Sequence, residues 1–152
     1  MTDGPLRILL AMPAYWPAHA FGGPVTAARE LTRRLVERGH TVEVVTTTLT
    51  DVGRRAGRRT RVATVDGARV TYLATPLRYR WMGLPPSLPL WLRRAERPDV
   101  VHVAGYRDPV STGVATWARS AGPWLTAGMT SERTSSITPV PIASPRSGLT
   151  RE

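Results

Sequence analysis

Cysteine, lysine, asparagine and glutamine are all missing from these 152 residues. Without cysteine there is no disulfide, no thiolate metal ligand and no cysteine nucleophile, which fits a reducing compartment. Lysine, asparagine and glutamine share adenine-containing codons, so their joint absence is what a very GC-rich gene produces. All 21 basic residues are therefore arginine, and the net charge of +10 is in part an effect of codon usage. Nucleic acid is accordingly disfavoured as a partner. Long apolar runs are lacking as well. The longest mostly apolar stretch, residues 81–92, contains Pro85, Pro86 and Pro89, whereas a membrane-spanning helix needs about 20 apolar residues. The first residues show no charged leader, apolar core and cleavage site in that order, so a cytoplasmic chain is expected. The fingerprint G-x-G-x-x-G is absent, and no acidic residue ends the second strand, which disfavours a dinucleotide cofactor. The three histidines, His19, His40 and His102, are too far apart in sequence to suggest a metal site without cysteine. No cofactor and no metal are expected.

What is there suits one modest α/β domain. Residues 7–12 read as a buried strand, followed by a loop holding Tyr15, Trp16, His19, Phe21 and the pair Gly22-Gly23. Pro24 suits the first turn of a helix, where its missing N–H costs nothing. Val25, Ala28, Leu31 and Leu35 recur at helical spacing, while Arg29, Arg33, Arg34 and Glu37 take the other positions and Gly39 ends the helix. Residues 41–47 are β-branched and apolar. Strand, helix and strand in this order imply a right-handed βαβ unit and a Rossmann-like parallel sheet with flanking helices. Residues 51–61 form an arginine-dense loop, and Asp66-Gly67 marks a hairpin between residues 62–65 and 69–74. Residues 76–89 are rich in proline and aromatics and give no clear period. A short helix is expected over 88–96, a buried strand over 99–104, a helix over 109–121 and the start of a further strand over 123–127.

After residue 127 the composition shifts to serine, threonine, proline, arginine and glycine without a period. Too few apolar residues remain to offset the entropy of ordering. The expected organisation is therefore a domain over residues 1–127 and a disordered tail over 128–152. Such a tail is what an out-of-phase reading of a GC-rich gene would give, so the domain is expected to be truncated by a frameshift near residues 122–130.

Several segments together resemble the N-terminal domain of family-4 glycosyltransferases of the GT-B fold. They are Phe21-Gly22-Gly23 after the first strand, then Glu37-Arg38-Gly39-His40 with Val42-Glu43-Val44-Val45-Thr46. Further along come Arg97-Pro98-Asp99-Val100-Val101-His102-Val103 and Tyr106-Arg107-Asp108-Pro109. The resemblance covers about residues 6–127. It implies transfer of a sugar from a nucleotide-sugar donor to an acceptor hydroxyl on a sugar or a lipid-linked molecule. Ligands would lie beyond the carboxyl ends of the strands, at the switch point of the sheet. The donor-binding half of such an enzyme is not contained in this chain, so the isolated chain is expected to be inactive. No Asp-x-Asp pair is present to favour the metal-dependent sugar-transferase fold.

By this resemblance Gly22, Gly23, His102, Tyr106, Arg107 and Asp108 are the candidate substrate-binding residues. Small residues at 22 and 23 would let backbone N–H groups approach a phosphate at the helix N-terminus; a plain tight turn is the other reading. The family often ends its strand with His-x-His, and here the second position is Ala104, so His102 also reads as a buried strand residue. Tyr106, Arg107 and Asp108 occupy the loop where acceptor contacts fall, or an ordinary solvated loop. His40 reads as structural, and His19 as a residue that could line the acceptor side. A non-catalytic alternative also stands. Arg78, Arg80, Arg93 and Arg94 interleave with Tyr79, Trp81 and Trp91, as in a peripheral binder of an anionic membrane surface or another polyanion. A gene remnant without function of its own is the other alternative.

Overall fold

The computed structural model describes residues 4–50, 57–105, 107–121 and 124–127. Its strands and helices are β1 (Arg7–Ala11), α1 (Gly23–Glu37), β2 (Thr41–Thr47), β3 (Arg61–Val65), β4 (Ala68–Leu73), β5 (Leu77–Tyr79), β6 (Met82–Leu84), α2 (Leu88–Arg94), β7 (Val100–Val103), α3 (Pro109–Ala121) and β8 (Trp124–Ala127). Six strands form one sheet in the order β3-β4-β2-β1-β7-β8, and β5 pairs with β6 in a separate hairpin. All pairings in the large sheet are parallel except β3 with β4. The expected tail, residues 128–152, lies outside the described residues, and of the expected frameshift region, residues 122–130, only 124–127 in β8 are described.

Side chains alternate across the strands, and each face has its own core. On one face Leu10, Val42, Val44, Val70 and Tyr72 pack with Val25 and Ala28 of α1. On the other, Leu9, Ala11, Val45, Val101 and Val103 pack with Leu88 and Leu92 of α2 and with Val110, Val114 and Ala118 of α3. The chain moves from β1 to β2 through α1 on the first face. It moves from β7 to β8 through α3 on the second. With right-handed crossovers this places a reversal of strand order between β1 and β7, which are hydrogen-bonded neighbours.

Local chemistry accounts for the ends of α1. Its carboxyl end closes as a Schellman motif: Gly39 N–H donates to the Val36 carbonyl at 2.9 Å and His40 N–H to the Leu35 carbonyl at 3.1 Å. On the exposed side Glu30 is held by the guanidinium groups of Arg33 and Arg34, which bring its pKa down to about 2. The core-facing side departs from the apolar spacing at one position. Leu31 is 39% exposed, and Thr32, 1% exposed, takes its place in the interior. The cause is a polar partner: the Thr32 hydroxyl lies 2.6 Å from the buried hydroxyl of Tyr15.

The Asp66-Gly67 turn is as expected, with φ of 49° and 81° at its two central residues, the left-handed pair that a two-residue hairpin needs. The proline-rich stretch 76–89 differs from its featureless sequence reading. It folds as the β5–β6 hairpin followed by the first residues of α2. Its strands are three residues each, too short for a period to register.

Candidate functional site

The carboxyl ends of β1 and β7 meet at the reversal of strand order, and the loops leaving them form one wall of a candidate cleft. Residues 13–22, after β1, are fixed from beneath. Thr47 at the end of β2 donates its hydroxyl to the Pro13 carbonyl at 2.6 Å, and the Tyr72 hydroxyl donates to the Trp16 carbonyl. Trp16 is capped by the Arg29 guanidinium 3.7 Å above its ring, with His19 edge-on at 4.1 Å. Arg29 also forks onto Asp66 at 2.6 and 3.2 Å, which depresses the Asp66 pKa and ties loop, helix and hairpin together. The helical spacing of the sequence assigns Arg29 to a solvated face, and nothing local reveals this role.

The loop delivers Gly22 and Gly23 to the N-terminus of α1. Gly22 has φ 72° and ψ −147°, a conformation open essentially to glycine alone. Gly23 has open space on its side-chain side. Pro24 has no N–H and the Val25 N–H is bonded to the Gly22 carbonyl at 3.2 Å, so the Gly23 N–H and the helix dipole carry what anion affinity this end has. No acidic residue lies in the first turn to oppose it.

Across the reversal, β7 is followed by a loop with Gly105 and Arg107 before α3. Asp108 is the N-cap of α3: its Oδ1 accepts the Ser111 N–H at 2.9 Å. The Asp-Pro-x-Ser order is itself a legible capping signal. Asp108 and Ser111 are fully buried, yet among the described residues Asp108 Oδ2 and Ser111 Oγ have no hydrogen-bond partner. Both face Gly105, where a β-carbon would lie 2.9 Å from Oδ2 and 3.1 Å from Oγ. Burial pushes the Asp108 carboxyl above its ordinary pKa, while Ser111 and backbone N–H groups pull the other way. The Ser111 hydroxyl is thus near enough to favour the carboxylate without making a well-formed bond to it.

That direction gives a pH-dependent prediction. A raised pKa means that the folded state binds the proton more tightly than the unfolded state. The stability this contributes is present at low pH and is lost as pH rises through the folded pKa. Asp108→Asn keeps a capping oxygen for the Ser111 N–H and has no charge to bury. Urea denaturation should find the variant at least as stable as the parent at neutral pH, with its relative advantage growing from about pH 4 upward. A variant that is less stable by the same amount at every pH would show that the carboxylate itself is required.

Of the other candidates, Arg107 is exposed beside this wall, and Tyr106 lies outside the described residues. His102 sits opposite Leu10 in the β1–β7 register. It lines an apolar cavity of about 230 Å³ with Ile8, Leu10, Leu31, Thr32, Leu35, Val42 and Val100, on the α1 face of the sheet. Burial lowers its pKa. The structure thus brings Gly22, Gly23, Gly105, Asp108 and Ser111 to the carboxyl rim and turns His102 towards the layer beneath α1. His40 is structural, its Nδ1 accepting the Leu6 N–H at 3.2 Å. Gly105 and Ser111 are the members that the sequence reading did not single out.

The model of Glycosyltransferase Family 4 matches residues 21–126. The chain belongs to this family. The fold agrees. The catalytic domain of starch synthase IV from Arabidopsis thaliana, bound to ADP and acarbose, superposes with a TM-score of 0.58 at 16% identity over 82% of the present chain. The chain spans 34% of that protein's length. It is an N-terminal, Rossmann-like GT-B domain, as expected from the segments between Phe21 and Pro109. No curated protein matches it in sequence.

Proposed function

We propose that this family-4 domain forms the acceptor side of a glycosyltransferase that moves a sugar from a nucleotide-sugar donor to an acceptor hydroxyl. The acceptor is a sugar or a lipid-linked molecule, and the site of action is the cytoplasm, peripheral at the inner membrane face. The observation that carries the reading is that the Gly22-Gly23 backbone at the start of α1 and the exposed Arg107 after β7 both lie on the carboxyl rim where strand order reverses. The Gly22-Gly23 backbone at the N-terminus of α1 suits a phosphate. Arg107 and, by its adjacent place in the sequence, Tyr106 are assigned to the acceptor wall, and His102 acts from the layer behind it.

Transfer needs the charged leaving group to be stabilised more strongly in the transition state than in the ground state, by groups on both walls of a cleft. This chain is proposed to supply one wall, so purified protein should release no nucleotide from a panel of nucleotide sugars. The same ligands and short oligosaccharides should instead perturb amide NMR signals at Gly22, Gly23, Arg107 and Asp108. Gly23→Val places a side chain in that open space and should abolish the perturbations without unfolding the chain. Turnover by the chain alone contradicts the one-wall assignment. Perturbations centred on Arg58 to Arg61 contradict the site.

A further inference from the structure

The exposed apolar side chains are not scattered. Leu77, Tyr79, Trp81, Leu84 and Leu90 are all exposed, Tyr79 by 63% and Trp81 by 42%; elsewhere among the described residues only Leu31 and Val62 are comparable. The group occupies the β5–β6 hairpin and the first turn of α2. The same stretch carries Arg78, Arg80, Arg93 and Arg94, and no aspartate or glutamate occurs between Asp66 and Glu96. An apolar patch of this kind, bordered by charge of one sign, marks a contact surface.

We propose that the β5–β6 hairpin and the start of α2 dock this domain on an anionic lipid bilayer. The tip is built for presentation. Arg80 turns the chain with φ 56°, and the Arg78 Nε donates to its carbonyl at 2.7 Å, so Tyr79 and Trp81 flank the end of the loop. Tyrosine and tryptophan are the side chains that settle at headgroup depth, with an apolar ring and one polar edge. Leu77, Leu84 and Leu90 extend the apolar surface behind them, and Arg78 and Arg80 of the hairpin sit where phosphate headgroups would lie, whereas Arg94 lies at the amino edge of the sheet.

The hairpin is also seated on the body of the domain. A methyl group on Gly83 of β6 would collide with the Thr75 side chain and crowd those of Leu49 and Thr47, so the β6 backbone packs directly on these side chains. Leu88 and Leu92 of α2 belong to the core. Thr47 ends β2 and Thr75 follows β4, so the patch stands on the carboxyl rim of the sheet. Docking through it brings the candidate cleft to the membrane surface. Charge of a single sign across the whole stretch fits the uniformly anionic surface of a bilayer, whereas a protein partner presents charges of both signs. The leucines select the bilayer over nucleic acid, which offers them nothing to bury against. The proposal does not depend on sugar transfer and is tested without it.

The full chain is floated with vesicles of phosphatidylcholine alone or mixed with phosphatidylglycerol. It should float with the mixed vesicles, less so as salt rises, and not with phosphatidylcholine alone. Arg80→Asn, which tolerates the same backbone, should weaken partitioning about fivefold, the factor expected for one basic group at an anionic surface. Tyr79→Ser with Trp81→Ser should weaken it more, and Arg58→Ser with Arg59→Ser less. Circular dichroism checks that each variant remains folded. Independently, brominated lipid should quench tryptophan emission in the parent chain but much less in Trp81→Phe, and this decides the matter if a serine variant misfolds. Absence of flotation, equal flotation with neutral vesicles, or an equal loss in the Arg58/Arg59 variant overturns the proposal. So does duplex DNA binding that the Tyr79/Trp81 change leaves intact while vesicles are ignored.

Discussion

Replacing Tyr15 with alanine should remove about 4 kcal/mol of stability, the cost typical of deleting a buried aromatic ring. Domains of this size are stable by only about 5–15 kcal/mol, so much of the margin would go with one side chain. Tyr15 is among the largest side chains fully hidden from solvent, and it packs between the β1 loop and α1. Its hydroxyl has a defined role. The Thr32 hydroxyl donates to the Arg29 carbonyl at 2.8 Å, so in the 2.6 Å contact with Tyr15 the tyrosine must be the donor. Burial accordingly holds the Tyr15 pKa above its ordinary value. Tyr15→Phe keeps the ring and leaves Thr32 its carbonyl partner, so it should cost about 1 kcal/mol. Urea unfolding of the two variants separates packing from the hydrogen bond. A loss below about 1 kcal/mol for Tyr15→Ala would mean that residues 13–22 are not part of the cooperative core, since a core ring cannot be removed so cheaply.

Gly105→Ala should cost about 3 kcal/mol, from two sources of comparable size: a backbone held where L-residues rarely go, and overpacking of a filled site. Gly105 has φ 144°. The added methyl would meet Asp108 Oδ2, Ser111 Oγ and the Pro13 ring, the last at 3.3 Å. Because these neighbours lie in the loop after β1 and at the start of α3, the damage falls on the point where the two halves of the sheet meet. A second substitution separates the sources. Ser111→Ala removes the hydroxyl 3.1 Å from the added methyl, a buried oxygen without a partner among the described residues, so the double variant should recover part of the loss. The backbone strain remains and sets the floor. If Ser111→Ala gives no recovery in a double-mutant cycle, the cost is wholly conformational and the close approach is incidental.

Legibility in the sequence followed the range of the interaction concerned. The end of α1 at Gly39, the Asp66-Gly67 turn and the start of α3 at Pro109 depend on bonds spanning a few residues. Their sequence signals were therefore sufficient. The family resemblance was readable for a similar reason: segments from Phe21 to Pro109 keep their order and spacing, and the family match falls on the same region. The β5–β6 hairpin was not readable, because what seats it is the approach of Gly83 to Thr47, Leu49 and Thr75. Leu31 and Thr32 exchanged places because helical spacing records hydrophobicity but not the need of Tyr15 for a partner. Within the candidate site, Asp108 was identified by its loop position, but its burial and its free oxygen depend on Gly105 and Ser111 being folded against it.

By itself, then, the sequence determined the class of fold and the succession of strands and helices outside the β5–β6 hairpin, and it named Gly22, Gly23 and Asp108 as candidates. Periodicity, turn chemistry and capping act over a few residues and are written in order along the chain. The tertiary structure alone decided that β1 and β7 lie side by side with their helices on opposite faces, and that His102 turns beneath α1. It also decided that Tyr79 and Trp81 stand out together beside arginines. Those facts follow from strand register and the close packing of distant segments, in which each side chain's direction is set by neighbours far away in the chain.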